Sequence, residues 1–245
     1  MDEIKTKGIV ISAKDYKDSD KIVTIFSAEM GLIHARVRGV KKNKAKLVFA
    51  VQPFAFVEFV LSARNGFYTV INATSIDQFF AITNDFDNYI FMLACLELCG
   101  KTVKENDDQK ELFLLLISTL NSVCYAGVKS IYAFIKFMIE SLKLLGFKLE
   151  LQRCVCCDGK LVSSVRAFSY DYFGLLCPKC SNKFDYLELT DGEMKILQLI
   201  DLTELSNLSQ LKFDSHADLI SVIGFLSKLF RLQTDEELIS IKKFL

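Results

Sequence analysis

Lys21-Ile22-Val23-Thr24-Ile25-Phe26, a break at Glu29-Met30-Gly31, and then Leu32-Ile33-His34-Ala35-Arg36-Val37-Arg38 is the stretch that decides the fold. Both runs are rich in β-branched residues and alternate, the pattern of half-buried strands, and the short break predicts a tight hairpin. Upstream, Gly8-Ile9-Val10-Ile11-Ser12-Ala13 reads as a strand. Downstream, Phe54–Val60 and Phe67–Ile71 read as two more, joined through Arg64-Asn65-Gly66, and Asn-Gly is a strong hairpin signal. Pro53 stands at the start of the fourth. Five short strands within residues 1–80, with a longer link between the third and fourth, suit a small Greek-key barrel of the OB-fold type.

From residue 84 the period changes to that of helices. Tyr89, Met92, Leu93, Leu96 and Gly100 share one face. Asp108 with Glu111 can cap a second helix, whose Leu112–Leu116 run is apolar nearly all round. Ile131, Phe134, Ile135, Met138, Leu142 and Leu145 follow helical spacing until Gly146 stops them. Thr190-x-x-Glu193 is a capping box for a helix through Ile200, and Ser215-x-x-Asp218 opens another with Leu219, Val222, Ile223, Leu226, Leu229 and Phe230 on one face. The expected fold is therefore α+β and multi-domain. It has an OB-fold β-barrel over 1–80, an all-α central domain over 81–149 on which 188–245 packs, and a small four-cysteine zinc module over 150–187.

Apolar residues make up 51% of the 245-residue chain and charged residues 24%, which excludes disorder. Thirty basic and thirty acidic side chains cancel, so the whole molecule has no polyanion-binding charge. Residues 1–80, however, hold 12 basic and 8 acidic residues, net +4, which points that region alone toward an anionic partner. The N-terminus Met-Asp-Glu-Ile-Lys lacks an apolar leader and no apolar run is long enough to span a bilayer, so a cytoplasmic protein without a membrane is expected.

Four of the eight cysteines fall in two Cys-x-x-Cys pairs, Cys154/Cys157 and Cys177/Cys180, separated by 19 residues. Each turn offers two thiolates to one ion, and two turns close a four-sulfur cage with no open position. The expected cofactor is one structural Zn2+. Cys156 sits beside a ligand and could compete with Cys154. Cys95, Cys99 and Cys124 lie on apolar helices and read as core thiols. A zinc deaminase would need a His-x-Glu or Cys-x-Glu general acid/base, and the two histidines, His34 and His216, are followed by Ala-Arg and Ala-Asp. No glycine-rich phosphate loop, serine elbow or carboxylate pair is present, so the chain does not read as an enzyme, and both histidines read as structural.

Arg36, Arg38, Lys41, Lys42, Lys44 and Lys46 form a basic strip with no acidic residue between Ala35 and Leu47. Arg36 and Arg38 share a strand face, and the lysines carry the charge into the link before strand four. Such a strip can follow a phosphate backbone, and if all six bind, the log–log salt slope is roughly −4 on single strands or −5 on duplex. A solvated charged loop is the competing reading. Lys5, Lys7, Lys14, Lys17 and Lys21 lie nearby, but Asp15, Asp18 and Asp20 weaken their field. With no tryptophan, base stacking falls to Tyr16, Phe67 or Tyr68, each of which also suits a core.

The order of parts resembles the bacterial RecO family of recombination mediators. The resemblance is carried by Lys7-Gly8-Ile9-Val10-Ile11, Asp20 through Ser27, Gly31-Leu32 and Ala35 through Lys41. It continues through Leu96-Glu97-Leu98, the Leu142–Gly146 helix end leading to Cys154, and Phe168-Ser169 with Gly174 and Cys177-x-x-Cys180. It implies a non-enzymatic DNA-handling protein that binds single- and double-stranded DNA and anneals complementary strands. It further implies help in loading RecA onto coated single strands, action with RecR, and capture of the acidic C-terminal tail of the single-stranded-DNA-binding protein. A cytoplasmic, nucleoid-associated location follows. The family's cysteines map onto Cys154, Cys157, Cys177 and Cys180, and its basic loop onto Arg36 to Lys46. Two departures stand out: the extra Cys156, and Asp158 displacing to Gly159 a glycine that often follows the second cysteine. Lys129, Lys136 and Arg153 are candidate docking cations for the acidic tail. The alternative is a structural zinc-containing adaptor, and a third reading is a zinc-ribbon transcription accessory factor.

Overall fold

Alternation over the first 77 residues produces five strands, β1 (Glu3–Tyr16), β2 (Asp20–Ser27), β3 (Gly31–Val37), β4 (Phe56–Arg64) and β5 (Phe67–Asp77). The computed structural model describes residues 3–64, 66–161 and 165–244. The strands close a barrel in the order β1-β2-β3-β5-β4, with β1 also paired to β4. All pairings are antiparallel except β3 with β5, where Ala35 faces Tyr68 and Arg36 faces Thr69. Every second side chain points inward, so Val10, Val23, Ile25, Ile33, Ala35, Val37, Val57, Phe59, Leu61 and Val70 fill the interior. β1 and β5 run several residues longer than their patterns suggest: the first residues of β1 pair with β4 and its last with β2, and the far end of β5 pairs with β4. Asn65, at the expected β4–β5 hairpin tip, lies outside the described residues.

The link from β3 to β4 is half turn and half core. Residues 38–47 run as successive turns, and a short 3-10 helix at Val48–Val51 then buries Ala50 and Val51 in the barrel. Pro53 belongs to a turn and not to β4. Phe54 N–H donates to the Val10 carbonyl at 3.1 Å, and Val10 N–H donates to Ala55 at 2.9 Å, which fixes the link's return.

Helices α1 (Phe80–Thr83), α2 (Phe86–Thr102) and α3 (Lys110–Tyr125) complete the first of two compact units, Met1–Tyr125. Asp85 caps α2 through its side chain and the Asn88 N–H. The α2 surface is buried on several sides, Cys95 and Cys99 included. α3 starts at Lys110, and Gln109, one residue past Asp108, takes its first carbonyl bond from Phe113. Leu114 is half exposed, so α3 is covered on one side despite its all-round apolar run. Phe113 packs edge-on to Phe26 with centroids 5.4 Å apart, tying α3 to β2.

The second unit, Ala126–Leu245, holds α4 (Ser130–Leu144), β6 (Ala167–Ser169), β7 (Gly174–Leu175), α5 (Pro178–Ser181), β8 (Leu187–Glu188), α6 (Asp191–Leu202) and α7 (His216–Thr234). The division at 125/126 falls inside the stretch 81–149 that the sequence groups as one helical region. α4 is buried along nearly its whole length and stops at Gly146, whose φ of 93° only glycine adopts freely. The Thr190–Glu193 capping box forms, with both reciprocal bonds present. Leu219, Val222, Ile223, Leu226, Leu229 and Phe230 form the buried face of α7.

Candidate metal centre and nucleic-acid interface

The first knuckle begins where Cys154 N–H donates to the Gly159 carbonyl at 2.9 Å and Asp158 N–H returns to the Cys154 carbonyl at 2.8 Å. Asp158 takes φ 55°, the left-handed conformation in which glycine is easiest, and its carboxylate pairs with Arg153 at 2.9 Å. The glycine shift noted in the sequence is thus absorbed by an aspartate, a residue that tolerates this region. The second knuckle is the first turn of α5, with Pro178 directly after Cys177 and the Cys180 N–H donating to the Cys177 carbonyl. The β6–β7 hairpin lies between the knuckles and, through Val155 N–H to the Leu175 carbonyl at 3.0 Å, brings them together.

The sulfurs of Cys154, Cys157, Cys177 and Cys180 all lie within 4.8 Å of one another. A tetrahedral ion with bonds of about 2.3 Å spaces its sulfurs about 3.8 Å apart, and Cys157 and Cys177 stand at 3.9 Å. Cys154 and Cys180 are buried beside Leu176. Burial raises the Cys154 thiol, but N–H groups of Cys177, Cys156 and Cys157 aimed at its sulfur outweigh that and bring it down to about 6. Hydrogen bonding with the Cys177 and Cys156 thiols, together with burial, pushes Cys180 well up. Cys154 lowered while Cys157 and Cys180 are raised is what crowded sulfurs without a counter-charge produce, and a dication removes the conflict. The donor set therefore fits a metal ion with four soft ligands. Cys156 is exposed and outside this group of four. Burial keeps Cys95, Cys99 and Cys124 protonated, as core thiols.

The basic strip divides into paired and unpaired cations. Arg36 is half buried and committed to Asp20: its Nε donates to Oδ2 at 2.7 Å, and its Nη2 to the same oxygen. The Gly39 N–H donates to Asp20 Oδ1 at 2.7 Å and the Ser19 hydroxyl to it at 3.2 Å. The Gly39 N–H and then Arg36 hold the Asp20 carboxyl at about 2. Lys41 Nζ reaches Asp15 at 2.7 Å and Lys21 shares that carboxylate at 3.3 Å. The two aspartates differ in kind, because the Asp20 side chain is 6% exposed and the Asp15 side chain 59%. An exposed pair such as Lys41–Asp15 is worth about 0–1 kcal/mol and opens readily. Arg38, Lys42, Lys44 and Lys46 are exposed and make no ion pair among the described residues. β3 ends at Val37, so Arg38 opens the turn instead of continuing the strand face with Arg36.

Of the aromatic candidates, Phe67 is 79% exposed, Tyr16 is partly exposed under the Arg36 guanidinium at 5.5 Å, and Tyr68 packs on the barrel core. His34 and His216 are both exposed, with His34 Nδ1 3.2 Å from the Thr24 hydroxyl. Lys136 is buried, bonded to the Asp201 carbonyl at 2.7 Å and paired with Glu140, so it is not free to dock a tail. Arg153 pairs with Asp158 at 2.9 Å in an exposed contact, like that of Lys41 with Asp15. Lys129 sits 5.3 Å from the Tyr132 ring centroid. No helix among the described residues is long and apolar enough to cross a membrane.

Two family models match the chain: "Recombination protein O N terminal" over residues 1–79 and "Recombination protein O C terminal" over residues 83–228. Proteins named DNA repair protein RecO are similar along most of the length. That of Acetivibrio thermocellus is 28% identical, covering 94% of this chain and 91% of its own. That of Caldicellulosiruptor saccharolyticus is 27% identical over 100% of both. That of Bacillus pumilus is 31% identical over 84% of this chain and 80% of its own. With a five-stranded closed barrel under the first match and the helices and cysteine cluster under the second, the chain belongs to the RecO family of DNA repair and recombination proteins.

Proposed function

We propose that the chain is a non-catalytic recombination mediator that grips DNA through the turn after β3. The observation that carries this is the set of four exposed, unpaired cations, Arg38, Lys42, Lys44 and Lys46, on one link of an OB-type barrel. These are long flexible stems and not a groove-reading helix, so they neutralise phosphates without reading bases, and single and double strands both bind. Holding two strands against one cationic surface lowers their repulsion and favours annealing. In this reading the chain acts with RecR, captures the acidic tail of the single-stranded-DNA-binding protein and assists RecA on coated strands, and membership of the RecO family supports it. Lys129 is the tail-docking cation left without a carboxylate among the described residues. The cysteine cage holds one structural Zn2+. In functional terms residues 1–80 bind DNA, 150–187 brace the fold, and 81–149 with 188–245 form the body, in the bacterial cytoplasm on the nucleoid.

Changing Lys42 and Lys44 together to glutamate is expected to weaken binding of a labelled oligonucleotide and to flatten its salt dependence. Four phosphate contacts give a log–log slope of about −3 on single strands. Retardation that is unchanged at two salt concentrations rejects the assignment. It would favour the adaptor reading, to which the Arg36–Asp20 and Lys41–Asp15 pairs lend support, since they already neutralise two of the six cations.

A further inference from the structure

The Asp20 carboxylate ties the start of β2 both to Arg36 on the paired strand β3 and to the turn that follows β3. Asp20 opens β2, opposite Tyr16 of β1. One of its oxygens takes the Gly39 N–H and the Ser19 hydroxyl, and the other takes Arg36 from β3. A second stitch runs beside it, from the Lys41 N–H to the Ser19 carbonyl at 3.0 Å. Gly39 adopts φ 64°, and the Lys42 N–H closes onto its carbonyl at 3.1 Å. The chain therefore leaves β3 in a direction set by where Oδ1 meets the Gly39 amide. The Arg36 guanidinium also stands over the Tyr16 ring, 5.5 Å from its centroid. A phosphate arriving from solvent would have to displace a carboxylate that is already hydrogen-bonded by three residues and shielded from water. The Lys41–Asp15 pair has no such protection.

We propose that Asp20 is a positioning residue of the nucleic-acid interface and that Arg36 is its structural counter-ion, leaving Arg38, Lys41, Lys42, Lys44 and Lys46 to meet phosphates. This rests on the DNA-binding reading above and narrows it: the cation that starts the basic strip in the sequence is not part of the gripping surface. Simple charge counting makes the opposite forecast, because deleting a negative charge next to a DNA site tightens binding.

The test uses the full chain and a labelled single-stranded oligonucleotide across a salt series. Asp20→Ala is expected to bind roughly tenfold more weakly, the effect of losing a charged hydrogen bond, although its net charge rises by one. Asp20→Asn keeps an acceptor for Gly39 and should recover part of that loss. Arg36→Gln should keep the wild-type salt slope, whereas Lys44→Gln should reduce its magnitude by about 0.7. Unchanged or tighter binding by Asp20→Ala, or a slope reduced in Arg36→Gln, overturns the proposal. The clasp is also read without DNA: amide exchange at residues 38–46 should accelerate in Asp20→Ala while the barrel strands stay protected. Unchanged exchange there overturns the positioning role even if DNA binds. If the wild-type chain binds no DNA while Asp20→Ala still shows the accelerated exchange, the nucleic-acid reading falls and the interface with it, leaving only a structural clasp.

Discussion

Replacing Cys177 by serine removes one of the four clustered sulfurs and leaves a hydroxyl that stays protonated near neutral pH. Because metal binding and folding are linked, zinc content and melting temperature should fall together, read by metal analysis and calorimetry on one preparation. A metal-free variant that melts at the wild-type temperature refutes the cage. Asp20 offers a second residue-scale test. Its folded carboxyl lies at about 2 against an ordinary 3.8, chiefly through the Gly39 N–H and then Arg36. A lowered folded value means that the contribution is complete above the ordinary value and disappears as pH falls from about 4 towards 2. Urea midpoints of wild type and Asp20→Asn should therefore differ near pH 6 and converge near pH 2. A constant gap would show that the charge of Asp20 is not what matters. The Cys-x-x-Cys spacing was legible in the sequence because each pair closes within one turn. The Asp20–Arg36 pair was not, since it spans 16 residues and depends on the β2–β3 register that sets Ile22 against Arg36.

At the scale of elements, the β2–β3 hairpin depends on Gly31. Its φ is 64°, and an added Cβ would lie 2.1 Å from the Lys104 carbonyl oxygen. That carbonyl cannot withdraw freely, because it accepts the Leu32 N–H at 3.1 Å. Gly31→Ala combines backbone strain with a clash against main chain, so a loss of at least about 2 kcal/mol is expected in denaturant titration. An alanine variant within half of that value would mean that the segment after α2 is loosely held. The hairpin itself was evident from Glu29-Met30-Gly31, but the intimacy of its contact with residue 104 was not, because no local pattern encodes a partner so distant in sequence. The Thr190–Glu193 capping box, the Ser215 cap and the α7 face were readable for the opposite reason: each is set by residues three or four apart on a single helix. α3 misled in one respect, since apolar composition alone does not say which side a neighbour covers, and Leu114 was left in solvent.

Across the whole molecule, the cysteine centre lies within the second unit, Ala126–Leu245, and the basic turn within the first, Met1–Tyr125. Chelation should therefore have a regional effect. Hydrogen exchange after treatment with a strong chelator is expected to rise around both knuckles and the β6–β7 hairpin while β1–β5 keep their protection. A uniform rise over all strands would contradict a metal that braces one unit only. The sequence by itself determined the class of fold, the number of barrel strands, the Thr190 and Ser215 helix caps and the four clustered thiols, because periodicity, turn chemistry and ligand spacing act over a few residues. Only the tertiary structure decided which cations face solvent and which are spent on internal carboxylates. Charge is written in the chain, but its availability depends on what strand register and burial place within about 3 Å of it.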